Sequence, residues 1–495
     1  MKKRIELSGR FHIVKSMRNS PGREVSDGEI MRICFILEGS YPYVRGGVSN
    51  WIDLMIRNLP EYEFVLHTII YSREQSGDFK YVFPSNLTHI NECFLRDDDR
   101  IQRFKRNERL SAKEMSMFST ILLDKEKNWE FLFDYFQDKQ PSINDLLMGP
   151  DFHELVTNYY NAKYPRTVFT DFLWTMRSVF LNLFMSLKSP IVDADVYHSV
   201  SSGYAGVLAC CAGHRNNKPV ILSEHGIYTR EREEDIIRAT WTKGIYKDIW
   251  IDFFYMLSNC IYERATKVFS LFERSRDIQL KIGCDIGKTE VIPNGIDLTR
   301  FSNLAQKEKT HTHINIGAVV RMTPIKDIKT LINSFHIARI KKSDMQLYII
   351  GNTDEDPDYY KECVGLVELL NAKNIIFTGH VNVDDYVGKM DMIVLTSLSE
   401  GQPLSILEAM AAGKPCITTN VGDCHDMLNA GDMQNRAGLI TKVMNVNEMS
   451  EAMLTLADDA ELRKLMGKNG KKIVNKKYNL HEMIKKYDDV YRKLY

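Results

Sequence analysis

The stretch at residues 392–413 limits the fold more than any other. A short apolar run (392–398) is cut by Gly401 and Pro403, and residues 404–412, of helix-forming composition, follow up to Gly413. The run is short for a helix and long enough for a buried strand, so the stretch predicts strand, turn, helix. A strand that leads directly into a helix is the building block of a parallel sheet, because parallel neighbours need a crossover connection.

The same alternation recurs through the chain. Apolar runs at 31–37, 64–71, 194–200, 219–226, 267–272 and 290–296 predict strands of a first sheet. Runs at 313–320, 345–351, 375–381, 392–398 and 415–420 predict a second, with helices at 325–340, 359–371 and 404–412 between them. A chain of 495 residues exceeds what one core usually serves. The expected division is a leader at 1–30, a first domain at 31–300, a second at 301–475 and a helix at 476–495 that crosses back to the first. Residues 95–190 are charged, dotted with aromatics and poor in strand signals, which predicts a helical insertion in the first domain. The polar, aperiodic segment 301–313 predicts the linker.

Lys plus Arg and Asp plus Glu both total 65, so the formal net charge is zero, which argues against a general nucleic-acid binder or a strongly basic membrane-adhering protein. The nine cysteines show no C-x-x-C spacing and sit mostly in apolar segments, as buried free thiols in a reducing cytoplasm do. The basic start Met1-Lys2-Lys3-Arg4 is not followed by a continuous apolar segment, so no signal peptide is expected. The apolar stretches 168–187 and 249–262 are interrupted by Asp171, Arg177 and Asp252 and predict buried or amphipathic helices rather than membrane spans.

Several residues can carry chemistry. The turn after 392–398 places the backbone of Gly401, Leu404 and Ser405 at a helix N-terminus, where the partial positive charge suits a diphosphate. Glu400 at the strand tip and Glu408 about one turn into the helix frame that turn and can touch different parts of one elongated ligand; taken alone, both would equally serve as solvated helix-end charges. Arg321 and Lys326 lie five apart after the strand at 313–320. In open parallel sheets the ligand crevice lies beyond the carboxyl ends of the strands, so both cations can reach the anion that the Glu400 turn cradles. Each charge-assisted bond to a phosphate is worth about 1.5–3 kcal/mol. Gly46-Gly47 joins the first strand to an amphipathic helix without G-x-G-x-x-G spacing, yet lets a backbone approach a ligand closely. His198 and His225 sit at strand ends, either as structural side chains or as polar contacts to a ligand. The run Asp97-Asp98-Asp99 fits a short metal-binding pattern but precedes a solvated helical segment, so no metal is expected there.

The string Ser-Glu-Gly-x-Pro-Leu-x-x-Leu-Glu-Ala-Met-Ala-x-Gly-x-Pro at 399–415, with its Glu-x7-Glu spacing, and the Arg-x4-Lys at 321–326 resemble the donor site of glycosyltransferase family 4, retaining enzymes of the GT-B fold. The first-domain strings at 38–51, 197–206 and 223–232 resemble the PelF type of that family, which serves biofilm exopolysaccharide synthesis. The resemblance implies an α/β protein of two doubly wound, Rossmann-like domains facing a cleft. It implies transfer of a hexose or N-acetylhexosamine from a UDP-sugar to a growing exopolysaccharide, with no metal or other cofactor. By position it places Glu400 at the donor sugar, Glu408 at the ribose hydroxyls, and Arg321 and Lys326 on the diphosphate, with Gly46, Gly47, His198 and His225 on the first-domain side. Implied partners are a polysaccharide acceptor and inner-membrane synthase subunits, and the implied location is the cytoplasm, including the inner face of the plasma membrane. Two positions depart from the family pattern: Gln402 stands where an aromatic is frequent, and Val200 stands where a second histidine is frequent. Other readings on the same fold are a glycogen-synthase-like or sucrose-synthase-like transferase, a UDP-sugar epimerase and a non-catalytic UDP-sugar sensor.

Overall fold

Strand β2 (Arg32–Glu38) shows why a sheet forms: Ile33 through Leu37 are fully buried, a continuous apolar run of the kind that both-faces-covered parallel strands require. The structure, a computed structural model, describes residues 11–13, 30–96, 109–123, 127–304, 313–429 and 431–495. It divides into two compact units, the first made of Met1–Ser270, Ser275–Val291 and Asp488–Tyr495, the second of Leu271–Arg274 and Ile292–Tyr487.

The first unit holds an eight-stranded sheet. Besides β2 it contains β1 (Phe11–Ile13), β3 (Glu63–Ser72), β4 (Leu87–Arg96), β5 (Val196–Ser199), β6 (Val220–Glu224), β7 (Lys267–Ser270) and β8 (Thr289–Val291), in the order β1-β4-β3-β2-β5-β6-β7-β8. All pairings are parallel except that of β1 with β4. The chain runs outward from β2 to β4 and then returns to place β5 on the other side of β2. The carboxyl ends of β2 and β5 therefore flank a topological switch point.

Between β4 and β5 the described residues form helices Ala112–Leu123, Trp129–Lys139, Ile143–Met148, Pro150–Lys163 and Phe169–Leu187. Local signals start two of them: Asn128 accepts from the Phe131 N–H and Ser142 from the Asp145 N–H. Phe133, Phe136, Phe172 and Phe184 are almost wholly buried and share one core with Ile36, Val65 and Leu208. The helices thus extend the core of the sheet rather than forming a separate one.

The second unit holds six parallel strands: β9 (Ile314–Val319), β10 (Met345–Ile350), β11 (Ile375–Gly379), β12 (Met392–Leu395), β13 (Cys416–Thr419) and β14 (Gly438–Thr441), in the order β11-β10-β9-β12-β13-β14. Here the switch point falls between β9 and β12. The C-terminal helix Leu480–Leu494 is shared by the division, its last residues from Asp488 belonging to the first unit.

Of the expected leader, Phe11–Ile13 pairs antiparallel with β4 at His89–Asn91, and residues 1–10 and 14–29 lie outside the described residues. The Asp97-Asp98-Asp99 run also lies outside them, as do residues 305–312 of the expected linker. Besides β1, which falls in the expected leader, two strands escaped the apolar pattern. β4 carries buried Asn91, whose amide donates to the His67 ring (3.1 Å) and the Pro190 carbonyl (3.1 Å), and buried Glu92, which accepts from the Tyr43 (2.5 Å) and Ser76 (2.6 Å) hydroxyls, so polar groups interrupt the apolar run. β14 opens on Gly438, where a Cβ would meet the Cys416 carbonyl oxygen at 2.0 Å, so close strand approach selects a residue of poor strand propensity. All nine cysteines are buried and free. Among the described residues no helix is long and apolar enough to cross a membrane.

Candidate active site

The second unit's switch point gathers residues from four loops. After β9 the chain passes Arg321 and makes the tight turn Pro324–Lys326; Asp327 then adopts a left-handed conformation (φ 46°) and caps the helix Ile328–Lys341 by accepting from the Thr330 N–H at 3.3 Å. After β12 the chain passes Ser397, Glu400 and Gly401 into helix Leu404–Ala411. The two loops are stitched together: the Leu398 N–H donates to the Ile325 carbonyl at 2.8 Å, and the Thr396 hydroxyl donates to the carbonyls of Lys326 (3.0 Å) and Asp327 (3.1 Å).

This stitching brings Lys326 and Glu400 into contact. The ammonium lies 2.5 Å from Glu400 Oε1, with only 15% and 11% of the two side chains exposed. The Ser397 hydroxyl donates to the same oxygen at 2.6 Å. A largely enclosed pair with a supporting hydrogen bond is held far more firmly than a surface ion pair.

Arg321 takes a different partner. Its guanidinium pairs with Glu355, in the loop after β10, at 2.6 Å, and the arginine side chain is more than half exposed. Glycine allows that loop to pass close by: at Gly351 (φ 151°) a Cβ would meet the Val320 carbonyl oxygen at 2.0 Å.

Leu404 and Ser405 form the first turn of helix Leu404–Ala411, whose N-cap is Pro403 and makes no side-chain capping bond. Orphan N–H groups at such an end, with the helix dipole behind them, favour an anion. Glu408 lies one turn further along. Burial pushes its carboxyl up to about 7, opposed by the positive charge of Arg300 and assisted by the negative charge of Asp384. Arg300 and Asp384 themselves form a two-pronged pair at 2.8 and 2.7 Å.

Behind the Glu400 turn stands the loop after β13. Gly422 (φ 53°) lies so close that a Cβ there would meet the carbonyl oxygens of Gly401 at 2.2 Å and Glu400 at 2.3 Å, and the Asp423 N–H donates to the Gly401 carbonyl at 2.9 Å. Gln402 is buried in this support: its amide donates to Asp423 at 2.7 Å and its carbonyl accepts from the Asn294 N–H at 2.8 Å. Burial pushes the Asp423 carboxyl up to about 7. The residue that departs from the family pattern thus braces the loop from within.

In the first unit, Gly46 precedes helix Gly47–Asn58 with extended backbone, and a Cβ on it would meet nothing within 4 Å. The packing of the chain therefore does not demand glycine there, and Gly47 is the first helical residue. His198, read either as a structural side chain or as a polar contact to a ligand, is fully buried: one ring nitrogen bonds the Tyr491 hydroxyl (2.7 Å) and the other the Ser223 hydroxyl (2.8 Å). The Phe35 ring lies 4.9 Å away, and burial lowers its pKa to about 3. It is neutral and structural, because both nitrogens are used inside the protein.

His225 differs. Its ring sits edge-on to Trp51 at 4.8 Å, and Nε2 is buried without a hydrogen-bond partner among the described residues. Burial lowers its pKa to about 4, so it is a neutral imidazole at pH 7. Its neighbour Glu224 is locked in place, accepting from Ser202 (2.6 Å), Tyr262 (2.7 Å), Gln279 (2.9 Å) and the Tyr228 N–H (3.2 Å). Glu38, at the end of β2, accepts weakly from Tyr228 and the Ala205 N–H, and burial raises its carboxyl above the usual range while Arg232 draws it back.

The structure therefore assembles Lys326, Glu400, Gly401, Leu404 and Ser405 around one turn of the second unit, sets Arg321 and Glu408 on flanking elements, and leaves Gly46, Gly47 and His225 at strand ends of the first. Ser397, Glu355, Arg300, Gly422 and Asp423 were not foreseen. Of these, only the Asn420-Val421-Gly422-Asp423 turn composition carried a local signal.

Comparison with known proteins fits this picture. Residues 31–286 match the family described as "Domain of unknown function (DUF3492)", and residues 313–459, which contain Arg321, Lys326, Glu400 and Glu408, match "Glycosyl transferases group 1". The chain is 26% identical over 310 residues to an uncharacterized glycosyltransferase, MJ1178, of Methanocaldococcus jannaschii, spanning 61% of this chain and 78% of that one. It is likewise 26% identical over 337 residues to the UDP-Gal:alpha-D-GlcNAc-diphosphoundecaprenol alpha-1,3-galactosyltransferase of Escherichia coli, spanning 63% and 78%. Among solved structures, Anabaena HepE in complex with UDP and glucose shares the fold with a TM-score of 0.60 at 14% identity, covering 94% of this chain and 100% of HepE. With more than half of its length matched, the chain belongs to the DUF3492 family, joined here to a group 1 glycosyl transferase domain, and it is a glycosyltransferase built from two parallel-sheet α/β domains of the GT-B type.

Proposed function

We propose that the enzyme is a retaining, metal-independent transferase that moves a hexose or N-acetylhexosamine from a UDP-sugar to a growing exopolysaccharide, in the manner of the PelF type of glycosyltransferase family 4. The observation that carries this reading is the enclosed Lys326–Glu400 pair at the β9/β12 switch point, beside the uncapped start of helix Leu404–Ala411. The HepE structures with UDP and with UDP-glucose, and the UDP-Gal named for the E. coli relative, support UDP as the nucleotide.

In this reading the second unit holds the donor and the first the acceptor. As the bond between the anomeric carbon and the diphosphate breaks, positive character grows on the sugar and negative charge on the leaving phosphate. Glu400 opposes the first. Lys326, Arg321 and the N–H groups of the Leu404 turn oppose the second, the task that a divalent cation performs in other transferases. Glu408 accepts from the ribose hydroxyls. Retention follows if the acceptor attacks from the leaving-group face and a phosphate oxygen takes its proton. Inner-membrane synthase subunits are the proposed partners that receive the product.

Release of free nucleotide from a panel of UDP-, ADP- and GDP-sugars in EDTA tests this. One UDP-sugar should be consumed without metal, and Lys326→Ala and Glu400→Gln should each lower kcat by about 100–1000-fold, the scale of losing one preorganised charge. Turnover that requires a divalent cation, or that survives both substitutions, would sink the proposal.

A further inference from the structure

A cleft of about 680 Å³ lies wholly within the first unit, between the helices that join β4 to β5 and helix Ile245–Arg264. Its elements contribute none of the strand-end residues discussed above. The volume falls in the range of sites that hold small ligands. Trp129, Phe180 and Phe253, all nearly buried, form the floor. Tyr159 and Tyr164, edge to face at 5.5 Å, line one wall and are only part-buried.

The opposite wall is one face of helix Ile245–Arg264. Asp252, Tyr255, Met256, Asn259 and Glu263 follow at i, i+3, i+4, i+7 and i+11, so they share a stripe, while Phe254, Leu257 and Ile261 pack into the core. The polar members, Asp252, Asn259 and Glu263, are exposed at the rim, and Lys163 reaches over the Tyr159 ring at 5.3 Å.

The chemistry of the lining selects the ligand. Aromatic faces accept the apolar C–H face of a pyranose, and carboxylates take hydroxyl donors while amide and ammonium groups serve hydroxyl acceptors. Lys127 and Lys163 offset Asp252 and Glu263 in the lining, and Glu263 is already paired with Arg264 at 3.0 Å, so no net charge is left to select an ionic ligand; burial and then Asp248 hold the Asp252 carboxyl above its usual range while Lys163 draws it back. A lipid tail would strip water from the rim carboxylates without replacing it. An uncharged, polyhydroxylated ring satisfies both the floor and the rim.

We propose that this cleft is a second saccharide-binding site, which holds an uncharged glycan on the helical part of the first unit. The inference rests on the enzyme being a glycosyltransferase and not on the donor-site roles proposed above. The bound saccharide is either a segment of the glycan chain being extended or a free sugar; the two share the same chemistry.

The test is calorimetric titration of the full-length enzyme with glucose, galactose, N-acetylglucosamine and N-acetylgalactosamine and with linear tetrasaccharides of each. At least one should bind, and Tyr255→Ala and Asp252→Asn should each weaken it about tenfold or more, a loss of about 1.4 kcal/mol, with the unfolding temperature and UDP affinity unchanged. Tetrasaccharides that bind more tightly than the monosaccharide identify a glycan chain, and equal affinities identify a free sugar. Binding of none of the panel, or binding that neither substitution weakens, overturns the proposal. Failure of the nucleotide-release assay would leave this result standing, and failure here would leave nucleotide release untouched, so the two readings fall separately.

Discussion

Glu408 makes a prediction at the scale of one proton. Its carboxyl is held near 7 because burial penalises the charged form more than Arg300 favours it. If it accepts hydrogen bonds from the ribose, binding selects the ionised form, so a proton must leave whenever the ligand enters below that pKa. UDP affinity should therefore rise from pH 5.5 to about 7, by up to about tenfold per unit, and level off above it. Glu408→Gln should flatten the profile and weaken binding at pH 8. Calorimetric titration across pH checks this, and a flat wild-type profile would remove Glu408 from the ribose. His225 gives no such inflection near neutrality, because burial keeps it neutral down to about pH 4.

At the scale of elements, function depends on loops that brace one another. Gly422 presses on the Glu400–Gly401 turn, and an alanine there would both face the left-handed penalty, roughly 1–2 kcal/mol, and strike two carbonyl oxygens. Gly422→Ala should lower nucleotide release more than tenfold, a loss exceeding what its shift in unfolding temperature accounts for, read by the same release assay beside calorimetry. The C-terminal helix makes the converse case, a structural contact. Tyr491 is fully buried and bonds one nitrogen of His198, so Tyr491→Phe should cost about 1–3 kcal/mol in denaturant unfolding by removing that buried bond. The periodic apolar face of this helix was legible from Met483, Ile484, Tyr487, Val490, Tyr491 and Leu494, of which Val490 and Leu494 are part-buried and the other four buried. Its pairing with a strand-end histidine was not, because residues 293 apart share no local pattern.

For the whole molecule, the division assigns Asp488–Tyr495 to the first unit. Tyr62 donates to Asp488 and Arg492 faces Glu61 at 3.6 Å, so these last residues complete a fold that otherwise closes at Val291. Deleting Asp488–Tyr495 removes the buried Tyr491 ring and should lower the unfolding temperature of the first unit on the order of 10 °C while the second unit's transition holds, as scanning calorimetry would resolve.

The sequence by itself determined what rests on local pattern: most strands of two parallel sheets, the helices that follow them, the helical stretch before β5, and the Glu400–Glu408 turn. Each depends on period, breakers and composition within a dozen neighbours. It did not reveal β1, nor β4 and β14, where buried hydrogen-bonded polar groups and a close-packed glycine replace the apolar run. Only the tertiary structure decided that Lys326 meets Glu400 across 74 residues while Arg321 turns to Glu355, that His198 is sealed inside, that Glu408 titrates near neutrality, and that a cleft opens among the helices of the first unit. Strand order sets those distances, and burial sets those charges. Both are properties of the packed chain rather than of any segment of it.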